Sequence, residues 1–287
     1  MTTVSIMLAA ANPVEHVISH ELFEIGPVAF TNHMFMMLIT AVIMLVVFPR
    51  MARDYPLVPT GFRNLFETSL EWIREGVARP VLHDHTDRFL PFIWTLFFFL
   101  LINNLLGLIP LSAIGGLATG NSHLFGTATA NISVTAALAA VSFVVTHAAG
   151  LMEQYRHLRH DGRPGGTAAA LAPVKYLCSM VPHIPGVLGI VMFPVFFVLE
   201  VVVAPLVRPF ALCMRLFANM MGGHVLLAAI LMMIPAIKGV ADGGLAIVGI
   251  AACTALNCLE LLVAVLQAYI FTFLTCMFIG SAVSPEH

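Results

Sequence analysis

Residues 184–235 read IPGVLGIVMFPVFFVLEVVVAPLVRPFALCMRLFANMMGGHVLLAAILMMIP, and they contain one acidic residue and two arginines. A continuous helix of about 50 residues would be about 75 Å long at about 1.5 Å per residue. The hydrocarbon core of a bilayer is only about 30 Å thick. The sequence therefore predicts a lipid-embedded helix that is tilted, kinked or broken, and the candidate break points are Pro194, Pro205 and Pro209.

Four further apolar blocks surround this one, at about 34–48, 89–110, 132–152 and 245–283. Of the 287 residues, 60% are hydrophobic and only 10% are charged, whereas a soluble domain has about 25% charged residues. Helices are expected rather than strands, because a lone strand in lipid leaves its backbone donors unpaired. The predicted fold is therefore all-α, a polytopic membrane protein with five membrane-embedded helices.

An additional helix is predicted over residues 62–76, where apolar side chains recur at helical spacing among charged ones. The apolar set includes Phe62, Leu65, Phe66 and Trp72. This pattern is typical of an amphipathic helix that lies at the membrane interface, and packing against a partner subunit would explain it equally well. Residues 161–170 read DGRPGGTAAA and are expected to form a flexible linker.

Basic residues predict the orientation of these helices. Residues 50–88 carry six arginines and residues 153–183 carry three arginines and one lysine, whereas residues 111–130 carry neither. The positive-inside rule then makes the first two of these connections cytoplasmic and the third external. We expect residues 1–30 to be an external tail, residues 31–287 to be one membrane domain, and the C-terminus to be cytoplasmic. No Arg-rich transit sequence precedes the first block, which favours the inner membrane of a bacterium.

Several classes of function are not supported by the sequence. The net charge of −2, without a basic cluster, does not suit a nucleic-acid binder. No Gly-rich phosphate loop occurs, so no nucleotide cofactor is expected. The loop that contains His83, Asp84, His85 and Asp87 could suggest a metal site, but a solvated turn is the better interpretation because no fourth fixed ligand is evident.

Polar groups within the apolar blocks are the candidates for chemistry. An ionisable side chain at membrane depth costs about 2.5–3.5 kcal/mol on insertion scales, so its presence indicates a function. The fourth and fifth blocks together contain Glu200, Arg208, Arg215, Asn219, His224, Asn257, Glu260 and Gln267.

Helical geometry sorts these residues by face. At about 100° per residue, Arg208, Arg215 and Asn219 lie within about 60° of one another on one helix face, and Glu200 lies at the edge of that stripe. His224 faces about 180° away from Arg215 on a straight helix. Glu260 and Gln267 share a face of the last helix. Two polar stripes could thus line water-filled paths on separate sides of a central arginine.

Structural explanations compete with the functional ones at most of these positions. Arg208 could extend toward the headgroups, and Glu200 could simply pair with it. His224 and Glu260 could form an inert interhelical hydrogen bond, and Gln267 could join two helices. Arg215 is harder to explain in this way, because apolar residues extend far on both sides of it.

Four stretches resemble subunit a of the rotary F-type ATP synthases. They are RLFANMMGGHVLLAAIL (215–231), the C-terminal LELLVAVLQAYIFTFLTCMFIGSAVSPEH (259–287), PFIWTLFFFLLINNLLGLIP (91–110) and ATANISVTAAL (128–138). The resemblance implies a non-catalytic proton-translocating stator subunit, with a ring of c subunits and the peripheral-stalk b subunits as partners. It also implies that the last two blocks form a long, steeply tilted hairpin around the ring.

The resemblance also implies roles for individual residues. Arg215 corresponds to the essential arginine that faces the carboxylates of the ring, and Asn219 to the cytoplasmic access path. His224, Glu260 and Gln267 correspond to the external half-channel. The further residues that it suggests as channel-lining are Asn104, Asn131, Thr135, Asn257, Glu200 and Arg208.

The sequence departs from the family pattern at some points. Gly107 stands where some members have an acid, and Ala211 stands where some have a serine. The spacing from Glu200 to Arg208 is one residue longer than the usual pattern. The sequence leaves open whether protons or sodium ions are carried.

Two other functions would use parts of the same pattern. A secondary transporter could use the same charged residues for a solute, but such transporters usually show repeated halves, and none is evident. A scaffold subunit without conduction would leave a buried arginine unexplained.

Overall fold

The computed structural model describes residues 21–25, 28–53, 60–109, 128–179, 187–236 and 243–283. Helices account for most of these residues, which confirms the prediction of a predominantly helical protein. Before the first helix, strands β1 (Glu21–Ile25) and β2 (Val28–Thr31) form an antiparallel hairpin. This short hairpin precedes the helical part, and the described residues from Asn32 on form no strand. Four residues are too few for a periodic signal that would predict a strand.

Four helical stretches within the described ranges are long and apolar enough to cross a membrane. They are Asn32–Met51, Phe62–Leu108, Ile132–His160 and Gly249–Val283. The first belongs to helix α1 (Asn32–Ala52). The fourth predicted block, which the structure describes only in part, is not among these four.

The predicted amphipathic segment consists of three pieces and runs into the next apolar helix. Helix α2 (Phe62–Trp72) is followed by a π-helical turn (Ile73–Ala78) and by α3 (Arg79–Leu82). The turn over residues 83–85, in which His83 has a φ of 46°, leads into α4 (Thr86–Leu108). The Trp94 indole donates a hydrogen bond of 3.1 Å to the Leu70 carbonyl and so ties α2 to α4.

Residues 161–170 do not form the flexible linker that their composition predicts. Helix α5 (Ile132–His160) ends in a tight turn, and α6 (Gly165–Ser179) begins within the expected linker. Gly162 adopts a φ of 78°, a left-handed conformation that glycine enters without strain. The Arg163 amide donates to the Leu158 carbonyl at 3.3 Å. A helical hairpin therefore replaces the linker, because three alanines and Leu171 promote helix once Pro164 has started it.

The fourth predicted block is interrupted, as its length requires. Helix α7 (Val187–Val198) leads into a π-helical segment (Leu199–Val203), and α8 (Ala204–Ala236) follows. The Ala204 amide donates to the Leu199 carbonyl, five residues back. The next residue is Pro205, which has no N–H to continue the α-helical ladder. The last helix, α9 (Gly243–Val283), has 41 residues.

The described residues fall into two compact units. The first contains those up to 58 and those of 96–135 and 214–270. The second contains those of 59–95 and 136–213 and those from 271 on. Several helices contribute residues to both units.

Candidate functional site

Arg215 lies on an exposed stripe of α8. Its side chain is exposed, whereas the neighbouring Leu216 is only 1% exposed. Ala218, Gly222 and Val225 follow Arg215 at helical spacing, and all three are exposed. No hydrogen bond or salt bridge joins Arg215 to the part of the chain that the structure describes. The guanidinium is therefore presented outward from the first unit, beside small side chains that would let another helix approach closely.

The carboxylate of Glu260 occupies space that exists because residue 223 is glycine. A Cβ atom on Gly223 would lie 2.9 Å from Glu260 Cδ and would collide with Glu260 Oε1. This contact joins α8 to α9 within the first unit. Glu260 Oε1 is buried and has no hydrogen-bond partner among the described residues. Such oxygens are rare in folded proteins, and each one calls for an explanation.

Gln267 lies two turns beyond Glu260 on α9 and is buried, with 4% of its surface exposed. Its Nε2 atom has no hydrogen-bond partner in the described ranges. One turn earlier, the Ala264 carbonyl accepts a hydrogen bond of 3.2 Å from Asn104 Nδ2, which joins α4 to α9. Asn104 is itself only 1% exposed. The structure thus brings Asn104 to the part of α9 that carries Gln267.

Asn131 and Thr135 have clear local roles at the start of α5. The Asn131 carboxamide accepts a hydrogen bond of 2.8 Å from the Ser133 amide, as an N-cap residue does. Thr135 is fully buried, and its hydroxyl donates to the Ile132 carbonyl at 3.0 Å. Capping explains why an asparagine stands at position 131, and the channel role of both residues stays a prediction.

The structure adds buried polar residues that the sequence reasoning missed. The Thr40 hydroxyl donates to Asn103 Oδ1 at 3.1 Å and so connects α1 with α4. Two more buried polar residues, Asn32 and His33, lie at the start of α1. The 3₁₀ turn (Ala128–Ala130) contacts α1 and contains the buried Thr129. The signal in the sequence that predicts such residues is a polar side chain inside or beside an apolar block, whether or not it is ionisable.

In the second unit, Glu200 and Arg208 form the salt bridge that was the structural explanation considered for Glu200. Arg208 Nη2 lies 3.3 Å from Glu200 Oε2. A spacing of eight residues on a regular α-helix corresponds to a rise of about 12 Å. The π-helical segment that begins at Leu199 takes up one extra residue. The π-helical segment therefore brings the two side chains together across a spacing of eight residues. The angular position that a regular α-helix predicts for Glu200 does not apply.

Arg208 has a second partner on α9. Its guanidinium carbon lies 5.3 Å from the centroid of the Phe278 ring, a cation–π geometry. Glu200, Phe278 and Arg208 all belong to the second unit, and the structure describes all three. Arg208 therefore interacts within the chain with both an anion and an aromatic face.

The remaining predicted site residues are only partly described. Asn219 and His224 lie on α8, but their side chains are outside what the structure describes, so the proposed contact of His224 with Glu260 is not tested. Asn257 is exposed on α9. Within the described ranges no group of three or more His, Cys, Asp or Glu residues could hold a metal ion.

Comparisons with known proteins agree on one family. Residues 34–280 match the family model described as ATP synthase A chain. ATP synthase subunit a of Chloroherpeton thalassium is 36% identical over 274 residues, which cover 92% of this chain and 70% of that protein. The corresponding protein of an Anaeromyxobacter species is 35% identical over 267 residues, which cover 90% and 57% of the two chains. ATP synthase subunit a 2 of Chlorobaculum tepidum is 31% identical over 260 residues, which cover 89% and 63%.

Proposed function

The chain belongs to the ATP synthase A chain family, and on that premise we propose that it is the stator subunit through which protons reach and leave a ring of c subunits. The subunit itself is not catalytic, because the chemistry of ATP takes place on other subunits. It works in the inner membrane of a bacterium beside the c ring and the peripheral-stalk b subunits. The secondary-transporter alternative has no observation in its favour.

One observation carries this proposal: an exposed arginine without a partner in the described chain stands on α8 among apolar and small residues. A fixed cation at membrane depth is costly unless it meets an anion. A ring carboxylate is the anion that the family supplies. At about 4 Å and an effective dielectric constant near 20, the attraction would be about 4 kcal/mol, whereas a membrane potential gives only about 2.3 kcal/mol per charge per 100 mV. We therefore expect a loose, hydrated pairing, since a tight one would stall rotation.

The external half-channel is proposed to run through the first unit. Glu260 and Gln267 line it from α9, with Asn104 beside them and with His224, Asn131 and Thr135 as further members. A proton that enters here neutralises a ring carboxylate. The neutral acid can then move into lipid, because lipid excludes the charged form.

The cytoplasmic half-channel is proposed to begin near Asn219, and Asn257 is proposed as a further channel-lining residue on α9. After nearly a full turn the protonated acid arrives there, and the positive charge of Arg215 favours its ionised form, so the proton leaves. The same charge blocks direct passage of a proton between the half-channels. The salt bridge of Glu200 with Arg208 is proposed to flank this exit and not to carry protons itself.

The arrangement in the membrane follows from the same proposal. Five membrane-embedded helices and the interfacial segment 62–76 place the N-terminus outside and the C-terminus in the cytoplasm. Residues 184–235 and 245–283 form the tilted hairpin that follows the ring. The interruption of the fourth block at Leu199–Val203 supports a helix that is not one straight crossing.

The decisive experiment replaces Arg215 by alanine in the assembled complex. Inverted membrane vesicles with Arg215→Ala should show no ATP-driven proton pumping, although the complex still assembles. Arg50→Ala serves as the matched control, because Arg50 is an exposed arginine near the end of α1 that donates to the Val46 carbonyl. Pumping that persists in Arg215→Ala at the rate of this control would overturn the assignment.

A further inference from the structure

Helix α6 is held firmly against α5 by one of its faces. Ala168, Ala172 and Tyr176, at intervals of four residues, are all buried, and the two alanines pack against Leu158. The Tyr176 hydroxyl lies 2.8 Å from His147 Nδ1 on α5. The Tyr176 ring also occupies the space left open by Gly150, where a Cβ atom would lie 2.9 Å from the ring carbon Cζ. These contacts fix which side of α6 faces outward.

The outward face of α6 is apolar. Leu171, Val174 and Leu177 are 39%, 57% and 38% exposed, and they lie about 100–160° around the helix from Ala172. Cys178 is exposed on the same side. The helix has 15 residues and is about 22 Å long, too short to cross a bilayer alone. A helix that is apolar on both sides and does not span the membrane is suited to the membrane interface.

Cations surround this apolar face. Arg159, Arg163 and Lys175 are all exposed. The Arg159 guanidinium lies at the first turn of α6, since its Nη1 would be 3.6 Å from a Cβ atom on Gly165. The one acid in the turn is Asp161; the other nearby acid, Glu153, is already paired with Arg88 at 3.1 Å. The edge of the helix is therefore positively charged.

From these observations we infer that α6 is a docking surface for anionic phospholipids. Its outer face enters the acyl region, and Arg159, Arg163 and Lys175 bind the phosphate groups of the headgroups. An apolar face with basic residues at its margin is complementary to an anionic membrane surface. The inference rests on the proposed function in one respect, because the proposed topology places α6 on the cytoplasmic side of the membrane.

The first test measures what surrounds Cys178 in the complex reconstituted in vesicles of phosphatidylcholine and phosphatidylglycerol. A nitroxide is attached there after Cys253→Ser and Cys258→Ser remove the two other thiols of this chain that are not buried. Lipid contact predicts relaxation of the label by oxygen and little by a water-soluble nickel chelate. The control carries the nitroxide at Gly166→Cys, at the exposed start of α6. The nickel chelate should relax this label more strongly than the label at Cys178. Dominant relaxation by nickel, or weak relaxation by both agents, would mean water or protein at this face and overturns the inference.

The second test measures the choice of headgroup. A bimane fluorophore on Cys178 should be quenched at least about twofold more by spin-labelled phosphatidylglycerol than by spin-labelled phosphatidylcholine at equal content. The triple variant Arg159→Gln, Arg163→Gln, Lys175→Gln should remove this preference, and Arg50→Gln should preserve it. Equal quenching by the two lipids in the unsubstituted chain would contradict recognition of anionic headgroups.

Proton pumping separates this inference from the proposed function. The triple variant should keep ATP-driven pumping, because none of its three residues belongs to the proposed half-channels. Loss of the lipid preference with pumping retained is the expected result. A failure of Arg215→Ala to stop pumping would overturn the proposed function and leave the lipid measurements unaffected.

Discussion

Arg208 and Arg215 are seven residues apart on one apolar helix, yet their surroundings differ. Arg208 lies 3.3 Å from Glu200 and 5.3 Å from the Phe278 ring centroid. Arg215 is exposed and has no ion-pair or hydrogen-bond partner in the described part of the chain. The charge of Arg208 is compensated inside the chain. The charge of Arg215 has no such compensation within the described ranges, and we propose that a group outside the chain supplies it.

The largest effect should come from exchanging each arginine for a neutral side chain of similar size. Arg215→Gln should reduce ATP-driven proton pumping in inverted vesicles by at least about a hundredfold, a loss of about 2.7 kcal/mol of transition-state stabilisation or more. Arg208→Gln should retain most of the pumping, because its loss affects a contact within the chain. Equal losses in the two variants would remove the distinction between the arginines.

The next largest effect should come from displacing Glu260, which lies against α8, the helix that carries Arg215. Gly223→Ala should lower pumping by roughly tenfold, because the added methyl group displaces the Glu260 carboxylate, at an overpacking cost of about 1–3 kcal/mol. Gly222→Ala meets no described atom within 4 Å and leaves Glu260 in place. Gly222→Ala should therefore disturb pumping only if the added methyl group hinders the approach of the c ring to α8. Cross-linking of the a and c subunits in the two variants would separate these causes, and a defect in Gly222→Ala without altered cross-linking would contradict them.

A smaller effect should follow when Arg208 is made to resemble Arg215. Glu200→Gln removes the anion of a pair whose side chains are about one-third exposed. Solvent screens such a pair, so we expect a coupling energy of about 0.5–1 kcal/mol from a double-mutant cycle with Arg208→Gln. Thermal unfolding of the purified complex measures it. A coupling near zero would show that the salt bridge does not stabilise the helix.

The smallest effect concerns the aromatic partner of Arg208. Phe278→Leu keeps an apolar side chain but removes the ring face, and should cost about 0.5–1 kcal/mol of stability. This loss of stability should vanish when Phe278→Leu is made in the Arg208→Gln background. If Phe278→Leu is equally destabilising in both backgrounds, the loss comes from packing and not from the cation–π contact.

The sequence predicted the helical membrane architecture well because that information is local. An apolar run in lipid must satisfy its own backbone hydrogen bonds, so each block had to be helical. Four such stretches are present in the described ranges, and the family resemblance carried by residues 215–231 and 259–287 was confirmed by the comparisons. Length and prolines predicted that the fourth block is tilted, kinked or broken, and the structure has a π-helical segment just before Pro205.

Other features could not be read in this way because they depend on contacts between distant segments. Angles on a straight helix gave a wrong position for Glu200, since the π-helical segment alters the register. Composition made residues 161–170 a linker, whereas packing of Ala168 and Ala172 on α5 stabilises a helix there. The hydrogen bond from Thr40 to Asn103 joins residues 63 positions apart, and no periodic pattern encodes it.

The amino-acid sequence by itself determined which segments are helical, that they belong in lipid, and which charged residues are too costly to be accidental. Only the tertiary structure decided which of those charges is compensated. It set Glu200 against Arg208, placed the Glu260 carboxylate in the space beside Gly223, and left Arg215 facing outward. The physical reason is that hydrophobicity and backbone hydrogen bonding act within a segment, whereas compensation of a charge requires a partner that only the packing of separate helices brings near.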